Sequence, residues 1–170
     1  MNISLVPIKS DIAPFLLEVY ASTRAEELKF VPWSDEVKKA FVKSQFENQS
    51  RYYLETYPNG FFDAVKFNDE LVGRIYKAEL DDEIRILDAT LLPEFRNQGI
   101  GTKLIADVLK FADEKNKPIR IYLETYNIYR SLFSRLGFRL ISDDGVYGLW
   151  EKKAGEDDRI VNEKAVSQSQ

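Results

Sequence analysis

Around Pro93 the apolar pattern of this chain changes period, and that change limits the folds open to it. Upstream, Ile84 to Leu91 reads as a strand; downstream, Ile100, Leu104, Val108 and Phe111 recur at helical spacing. The junction Leu91-Leu92-Pro93-Glu94-Phe95-Arg96-Asn97-Gln98-Gly99-Ile100-Gly101-Thr102 therefore carries a strand into a helix that opens on a glycine pair. Amides in the first turn of a helix lack intrahelical acceptors and carry partial positive charge, and glycines without Cβ let an anion approach the main chain. Arg96 adds a cation and Thr102 a hydroxyl. The segment is a candidate anion-binding turn, with an ordinary strand-to-helix connection as the alternative.

The remaining elements can be placed around this junction. Ile3 to Ile8 reads as a first strand, and Asp11 offers an N-cap to a helix whose Ile12, Phe15, Leu16 and Val19 share one face. A second helix is expected after Pro32-Trp33 with Ser34 as its cap and an apolar face beginning Val37, Ala40 and Phe41, followed along the same stripe by Ser44, Gln45 and Asn48. Asp63 to Phe67, Leu71 to Leu80 and Ile84 to Leu91 form an antiparallel meander, turning at Asn68-Asp69-Glu70 and Asp81-Asp82. The helix after Pro93 stops near Asn116-Lys117-Pro118. Then come a strand at Ile119 to Thr125, a short helix at Ile128 to Leu136 with Gly137 as its left-handed terminator, and a hairpin of Phe138 to Ser142 and Tyr147 to Lys152. This order predicts an α+β architecture, a mixed and mostly antiparallel sheet flanked by helices. One domain is expected over residues 1–153, with the polar stretch 154–170 as a disordered tail.

Composition removes several chemistries. The 170 residues contain neither cysteine nor histidine, which excludes disulfides, thiolate nucleophiles, Ser-His-Asp triads and metal sites built on those ligands. Any acid or base must be a carboxylate, tyrosine, lysine or water. The 24 basic residues are interspersed with 28 acidic ones for a net charge of −4, so no stripe suited to a nucleic-acid backbone stands out. Apolar runs fall far short of the ~20 residues a membrane-spanning helix needs, and Met1-Asn2-Ile3-Ser4 lacks the marks of a signal peptide. The expected compartment is the cytoplasm, with no nucleic-acid or membrane partner.

A dinucleotide site of the Gly-x-Gly-x-x-Gly kind is a second ligand reading, with Glu124 where a ribose-binding acid would sit, but Asn97 and Leu104 occupy its first and last glycine positions. A better match exists. Arg96-x-x-Gly99-x-Gly101, with Leu91-x-Pro93 just ahead, resembles the acyl-CoA signature of the GNAT acetyltransferase superfamily. Downstream, Asn127 followed by Leu132-Phe133 and Leu136-Gly137-Phe138 is similar to that family's Asn-x-x-x-x-Leu-Tyr-x-x-Leu-Gly-Phe segment. The clear resemblance covers about residues 70 to 150.

The resemblance implies a sheet splayed between its fourth and fifth strands, with acetyl-CoA as cosubstrate and no metal. It implies that the Leu91 main chain binds the thioester carbonyl and pantetheine arm, with Leu92 beside it. Amides from Gln98 through Gly99, Ile100 and Gly101 to Thr102 would hold the pyrophosphate, with Arg96 and Asn97 in the same turn and Asn127 and Phe133 at the arm. A primary amine, on a small molecule or a protein, then attacks the thioester directly. Phe133 departs from the family's tyrosine and cannot protonate a thiolate, which opens the rival reading of a CoA-binding interaction module with little or no turnover. Tyr126, Tyr129, Tyr147 or water are alternative acids. An amine of pKa ~10 needs ~4 kcal/mol to be neutral at pH 7, so a base is expected. Asp88 and Glu124 are its candidates, each also a candidate ion-pair partner for Arg85 or Arg120. Arg24, Glu27, Trp33, Gln45 and Gln49 on the N-terminal helices are candidates for acceptor binding, against the plainer reading of solvated helix faces. The C-terminal hairpin offers an edge through which two copies could form a homodimer.

Overall fold

The computed structural model describes residues 2–156. In chain order the elements are β1 (Ile3–Pro7), α1 (Ala13–Lys29), α2 (Asp35–Thr56), β2 (Phe61–Phe67), β3 (Glu70–Glu79), β4 (Ile84–Leu91), α3 (Ile100–Glu114), β5 (Ile119–Glu124), α4 (Arg130–Arg135), β6 (Arg139–Asp143) and β7 (Tyr147–Lys152). The strands make a seven-stranded sheet in the order β1-β2-β3-β4-β5-β7-β6. It is mostly antiparallel, with a parallel pair at β4 and β5. The α+β expectation holds. No helix among the described residues is long and apolar enough to cross a membrane.

The described residues gather into two compact units, one built from residues 2–78 together with Asp88–Gly101, the other from Glu79–Leu87 together with residues 102–156. In the first unit β1 pairs with β2 from Ile3↔Phe67 to Pro7↔Asp63, and β2 pairs with β3. Asn68 and Asp69 make the β2–β3 turn with φ of 49° and 70°, conformations that asparagine and aspartate tolerate better than most residues. Leu16, Val19 and Tyr20 of α1, Val42 of α2, and Ala64, Val65, Val72, Ile75 and Tyr76 of the strands are buried. Each fully buried aliphatic side chain among them contributes roughly 1.5–3 kcal/mol.

Two helix readings need correcting. Asp11 lies inside a short 3-10 turn, Ser10–Ile12, and α1 begins after it with Ile12 as N-cap and no side-chain cap. Ser34 does cap α2, its hydroxyl accepting from the Val37 amide at 3.3 Å. The expected inward face of α2 is not inward, however. Val37 is 49% and Phe41 37% exposed, while Val42 is buried. Phe41 instead meets Trp33 edge-on at 5.3 Å.

In the second unit β4 and β5 run parallel through Ile84↔Ile119, Arg85↔Arg120 and Ile86↔Ile121, and β5 pairs along its whole length with β7. These three registered β4–β5 pairs compare with a β4 that continues to Leu91 and a β5 that continues to Glu124. Ile84, Ile86, Ile119, Ile121 and Leu123 are buried, as are Leu104, Ile105, Val108 and Ala112 on α3. Asn116, φ 51°, turns the chain after α3, and Gly137, φ 87°, ends α4 as expected. The hairpin turn is held by Asp143 and Asp144, whose carboxylates accept from the amides of Gly145, Val146 and Tyr147. The expected disordered tail lies, from residue 157 on, outside the described residues.

Candidate active site

The turn between β4 and α3 takes the shape its sequence implies. A 3-10 turn, Pro93–Phe95, follows the strand, and Asn97 and Gly99 then adopt left-handed conformations with φ of 58° and 82° before α3 starts at Ile100. Left-handed residues interspersed in such a turn direct successive amides toward one side, which is how main chain makes a concave anion site. Gly99 carries the backbone requirement most strongly, because any L side chain would be strained at its φ of 82°. Arg96 departs from the simple picture of a free cation. Its Nε donates to the Leu91 carbonyl at 2.9 Å, so the guanidinium also ties the end of β4 to the turn. Gln98 adds a second tie, its Nε2 donating to the Glu94 carbonyl at 2.7 Å.

Upstream on β4, Asp88 is part of a buried cluster that sequence reasoning did not assemble. Arg74 on β3 is 1% exposed, and its Nη2 donates both to Asp88 Oδ2 at 2.8 Å and to Gln49 Oε1 on α2 at 2.9 Å. Thr90 donates its hydroxyl to the other carboxylate oxygen, Asp88 Oδ1, at 2.7 Å. Among the described residues, Arg74 Nε and Nη1 have no hydrogen-bond partner. The guanidinium carbon lies instead 4.9 Å from the Tyr76 ring centre and 5.8 Å from that of Tyr20. Burial alone would disfavour the guanidinium charge, but Asp88 and the neighbouring tyrosines outweigh it and hold the arginine above its ordinary pKa. Burial also raises the Tyr53 and Tyr76 hydroxyls, with Asp88 pushing in the same direction, so both stay protonated at neutral pH. The signal for Arg74 was present, an arginine inside the apolar run Leu71-Val72-Gly73-Arg74-Ile75.

The other candidates are placed less uniformly. Arg24 pairs with Glu27 at 3.3 Å and reaches the Tyr20 hydroxyl at 3.3 Å. Trp33 is half exposed against Phe41, and Gln45 is exposed. Of the residues expected to bind the acceptor, Gln49 joins the Arg74–Asp88 cluster.

In the second unit Glu124 is exposed at the end of β5, and its carbonyl accepts from the Asn127 amide at 2.9 Å. Asn127 Oδ1 accepts from the Tyr129 amide at 2.8 Å, shaping the turn into α4. Arg130, another residue not singled out from sequence, donates to the Thr125 carbonyl at 2.5 Å and holds that turn to the strand. Phe133 is 3% exposed and packs edge-on against Phe138 with ring centres 5.1 Å apart. Neither Arg85 nor Arg120 pairs with Asp88 or Glu124. Both bond the buried Glu83, and Arg120 also bonds Glu151 at 2.7 Å.

Comparison with known proteins bears on the family and the fold. The model of the acetyltransferase (GNAT) family matches residues 22–138. A comparison with curated proteins found no match. Among solved structures the chain is similar to the PaiA N-acetyltransferase of Thermoplasma acidophilum in complex with coenzyme A, at 20% identity and a TM-score of 0.69 over 90% of this chain and 99% of that one. An acetyltransferase from Thermus thermophilus aligns at 16% identity and 0.64, over 90% and 97%. A GNAT acetyltransferase from Elizabethkingia anophelis with acetyl-CoA bound aligns at 22% identity and 0.57, over 89% and 98%. At these identities the structures speak for the fold, while the family match spans well over half of the sequence: the chain belongs to the GNAT acetyltransferase family.

Proposed function

We propose that the protein transfers an acetyl group from acetyl-CoA to a primary amine by direct attack. The observation that carries this reading is the β4–α3 turn, where Asn97 and Gly99 take left-handed conformations directly before the first turn of α3. That is the main-chain form a pyrophosphate needs, and the family's acyl-CoA signature falls on it. The Thermoplasma and Elizabethkingia structures, solved with coenzyme A and acetyl-CoA, support a CoA-type cosubstrate.

In this reading the amides from Gln98 onward hold the pyrophosphate and Leu92 borders the pantetheine arm; the family resemblance assigns Asn127 and Phe133 to the same arm. The Leu91 amide faces the thioester oxygen. The amine lone pair attacks the acyl carbon, the carbonyl oxygen takes up negative charge that the Leu91 N–H stabilises, and the C–S bond then breaks to release the CoA thiolate. The ammonium proton leaves to a base, and the thiolate takes one from water or a tyrosine.

Glu124, exposed and solvated, suits the role of proton acceptor, directly or through water. Asp88 suits it less, because both of its oxygens already accept hydrogen bonds from Arg74 and Thr90. Its place is to fix Arg74 and, through it, Gln49 on the acceptor side. Arg24, Glu27, Trp33 and Gln45 complete the surface on which the amine would be oriented.

Titration calorimetry with acetyl-CoA, followed by thiol release across a panel of small and peptide amines, tests the assignment. Saturable binding with release for at least one amine is expected, and failure to bind acetyl-CoA would overturn it. Binding without release for any amine would favour the CoA-binding module, a reading supported by the burial of Phe133 where the family carries a tyrosine. Phe133→Tyr is expected to lower stability by ~1–3 kcal/mol through a buried hydroxyl, with little change in rate. A large gain in rate would show instead that the missing acid limits turnover.

A further inference from the structure

We propose that the groove between α1 and α2 docks an acidic amphipathic helix of a partner protein, a binding function separate from acyl transfer. The groove has a volume of about 730 Å³ and is open rather than enclosed. Its floor is apolar and made largely of small side chains: Leu17, Ala21, Ala25 and Leu28 from α1, with Ala40 and Val42 from α2. Alanines at these positions leave a trough between the two helices where larger residues would have closed the space. From Leu17 to Lys29, at 1.5 Å per residue, the α1 side runs for about 18 Å, the length of roughly three turns of a helix laid along it.

The charge on the rim selects the occupant. Four lysines, Lys29, Lys38, Lys39 and Lys43, border the groove against one carboxylate, Glu26, so the rim carries a formal charge of +3 on a chain whose total is −4. The lysines are little committed elsewhere. Among the described residues Lys43 makes an exposed pair with Glu47 at 3.9 Å, and Lys29 lies 5.9 Å from the Phe30 ring centre. A nucleic-acid backbone would use the lysines but not the apolar floor. An alkyl chain would use the floor but, in an open trough, would leave one side against water. A helix with an apolar stripe flanked by Asp and Glu satisfies both, since its main chain is already hydrogen-bonded and its polar face remains solvated.

The test uses the full chain and two synthetic peptides of about 18 residues, long enough to cover the groove. Both carry the same leucine and alanine stripe, flanked by glutamates in one and by lysines in the other. By fluorescence anisotropy the glutamate peptide should bind saturably and the lysine peptide at least about tenfold more weakly, with the difference shrinking in high salt. The double substitution Lys38→Glu and Lys39→Glu should weaken the glutamate peptide about tenfold and leave acetyl-CoA affinity unchanged. Ala25→Glu, an exposed helical position that tolerates the residue, should block the trough without affecting folding, as monitored by circular dichroism. No binding of the glutamate peptide, equal binding of the two peptides, or indifference to these substitutions would overturn the proposal. So would palmitate competing the peptide away, or sedimentation showing that a second copy of the chain fills the groove. Acetyl-CoA binding is read separately, so its failure bears on the transferase assignment alone.

Discussion

Arg74 and Asp88 meet at 2.8 Å on neighbouring strands, with the arginine 1% and the carboxylate 12% exposed. A charge pair this far from water is held together because neither partner has a cheap alternative. Removing one leaves the other buried and uncompensated, which typically costs about 3–5 kcal/mol, whereas removing both costs much less. Arg74→Met and Asp88→Ala should therefore each lower stability by about 3 kcal/mol in urea unfolding, and the double variant should lose clearly less than the sum. Additive losses would show that the pair is not the unit described. Because Gln49 also accepts from Arg74, Arg74→Met should in addition raise the KM for the amine more than that for acetyl-CoA.

The opposite kind of control acts at Gly99. With φ at 82°, any L side chain there is strained by about 1 kcal/mol, and glutamate would also place negative charge at the turn proposed to hold the pyrophosphate. Gly99→Glu should abolish acetyl-CoA binding by calorimetry while unfolding cooperatively within a few degrees of the parent. Retained affinity would move the pyrophosphate away from this turn.

Much of this was legible in the sequence, for reasons that differ by residue. The β4–α3 junction could be read because its signal is local: a period change, a proline and two glycines within a dozen positions. Ser34, Gly137 and the Asn68-Asp69 turn are local in the same way, each fixed by what one residue's backbone or side chain can do. The Arg74 cluster was not readable. Its partners lie 14 and 25 positions away in sequence, on another strand and on a helix, so only tertiary packing brings them together. The α2 face was misjudged because Val37 and Phe41 keep helical spacing yet sit near the start of the helix, where Phe41 finds Trp33 instead of the core. The ion pairs weighed for Asp88 and Glu124 with Arg85 or Arg120 do not form, because both of those arginines are drawn to the buried Glu83.

A pH effect follows from Asp63 on β2. Partial burial raises its pKa above the ordinary carboxylate value, and Lys77 offsets only part of that. The folded state therefore binds this proton more tightly than the unfolded chain does. Stability from this group is fully present below the unfolded pKa and is lost as pH rises through the higher folded one. Asp63→Asn, which mimics the protonated form, should raise Tm relative to the parent at pH 7. The advantage should fade as pH falls to the ordinary carboxylate range. A Tm difference independent of pH would assign the effect to packing.

The end of β4 depends on a neighbour with no side chain at all. Gly73 on β3 faces it so closely that a Cβ would stand 2.3 Å from the Thr90 carbonyl oxygen and 3.0 Å from the Leu91 Cα. These are main-chain atoms, which cannot rotate aside as a flexible side chain would, so relief requires the strands to move apart. The Leu92 amide, which donates to the Val72 carbonyl at 2.9 Å, is the next ladder bond to suffer. Overpacking of this kind commonly costs about 1–3 kcal/mol, and with main chain as the obstacle Gly73→Ala should fall at the upper end. The functional consequence is separable from the loss of stability. Displacing Leu91 shifts the amide assigned to the thioester oxygen, and with it the carbonyl that Arg96 holds. At a temperature where the variant is still fully folded, kcat should fall at least about tenfold, because a preorganised donor loses much of its effect when displaced by a fraction of an ångström. Acetyl-CoA affinity, resting mainly on the pyrophosphate turn, should change less. A variant with normal kcat would show that Leu91 has no part in the transition state.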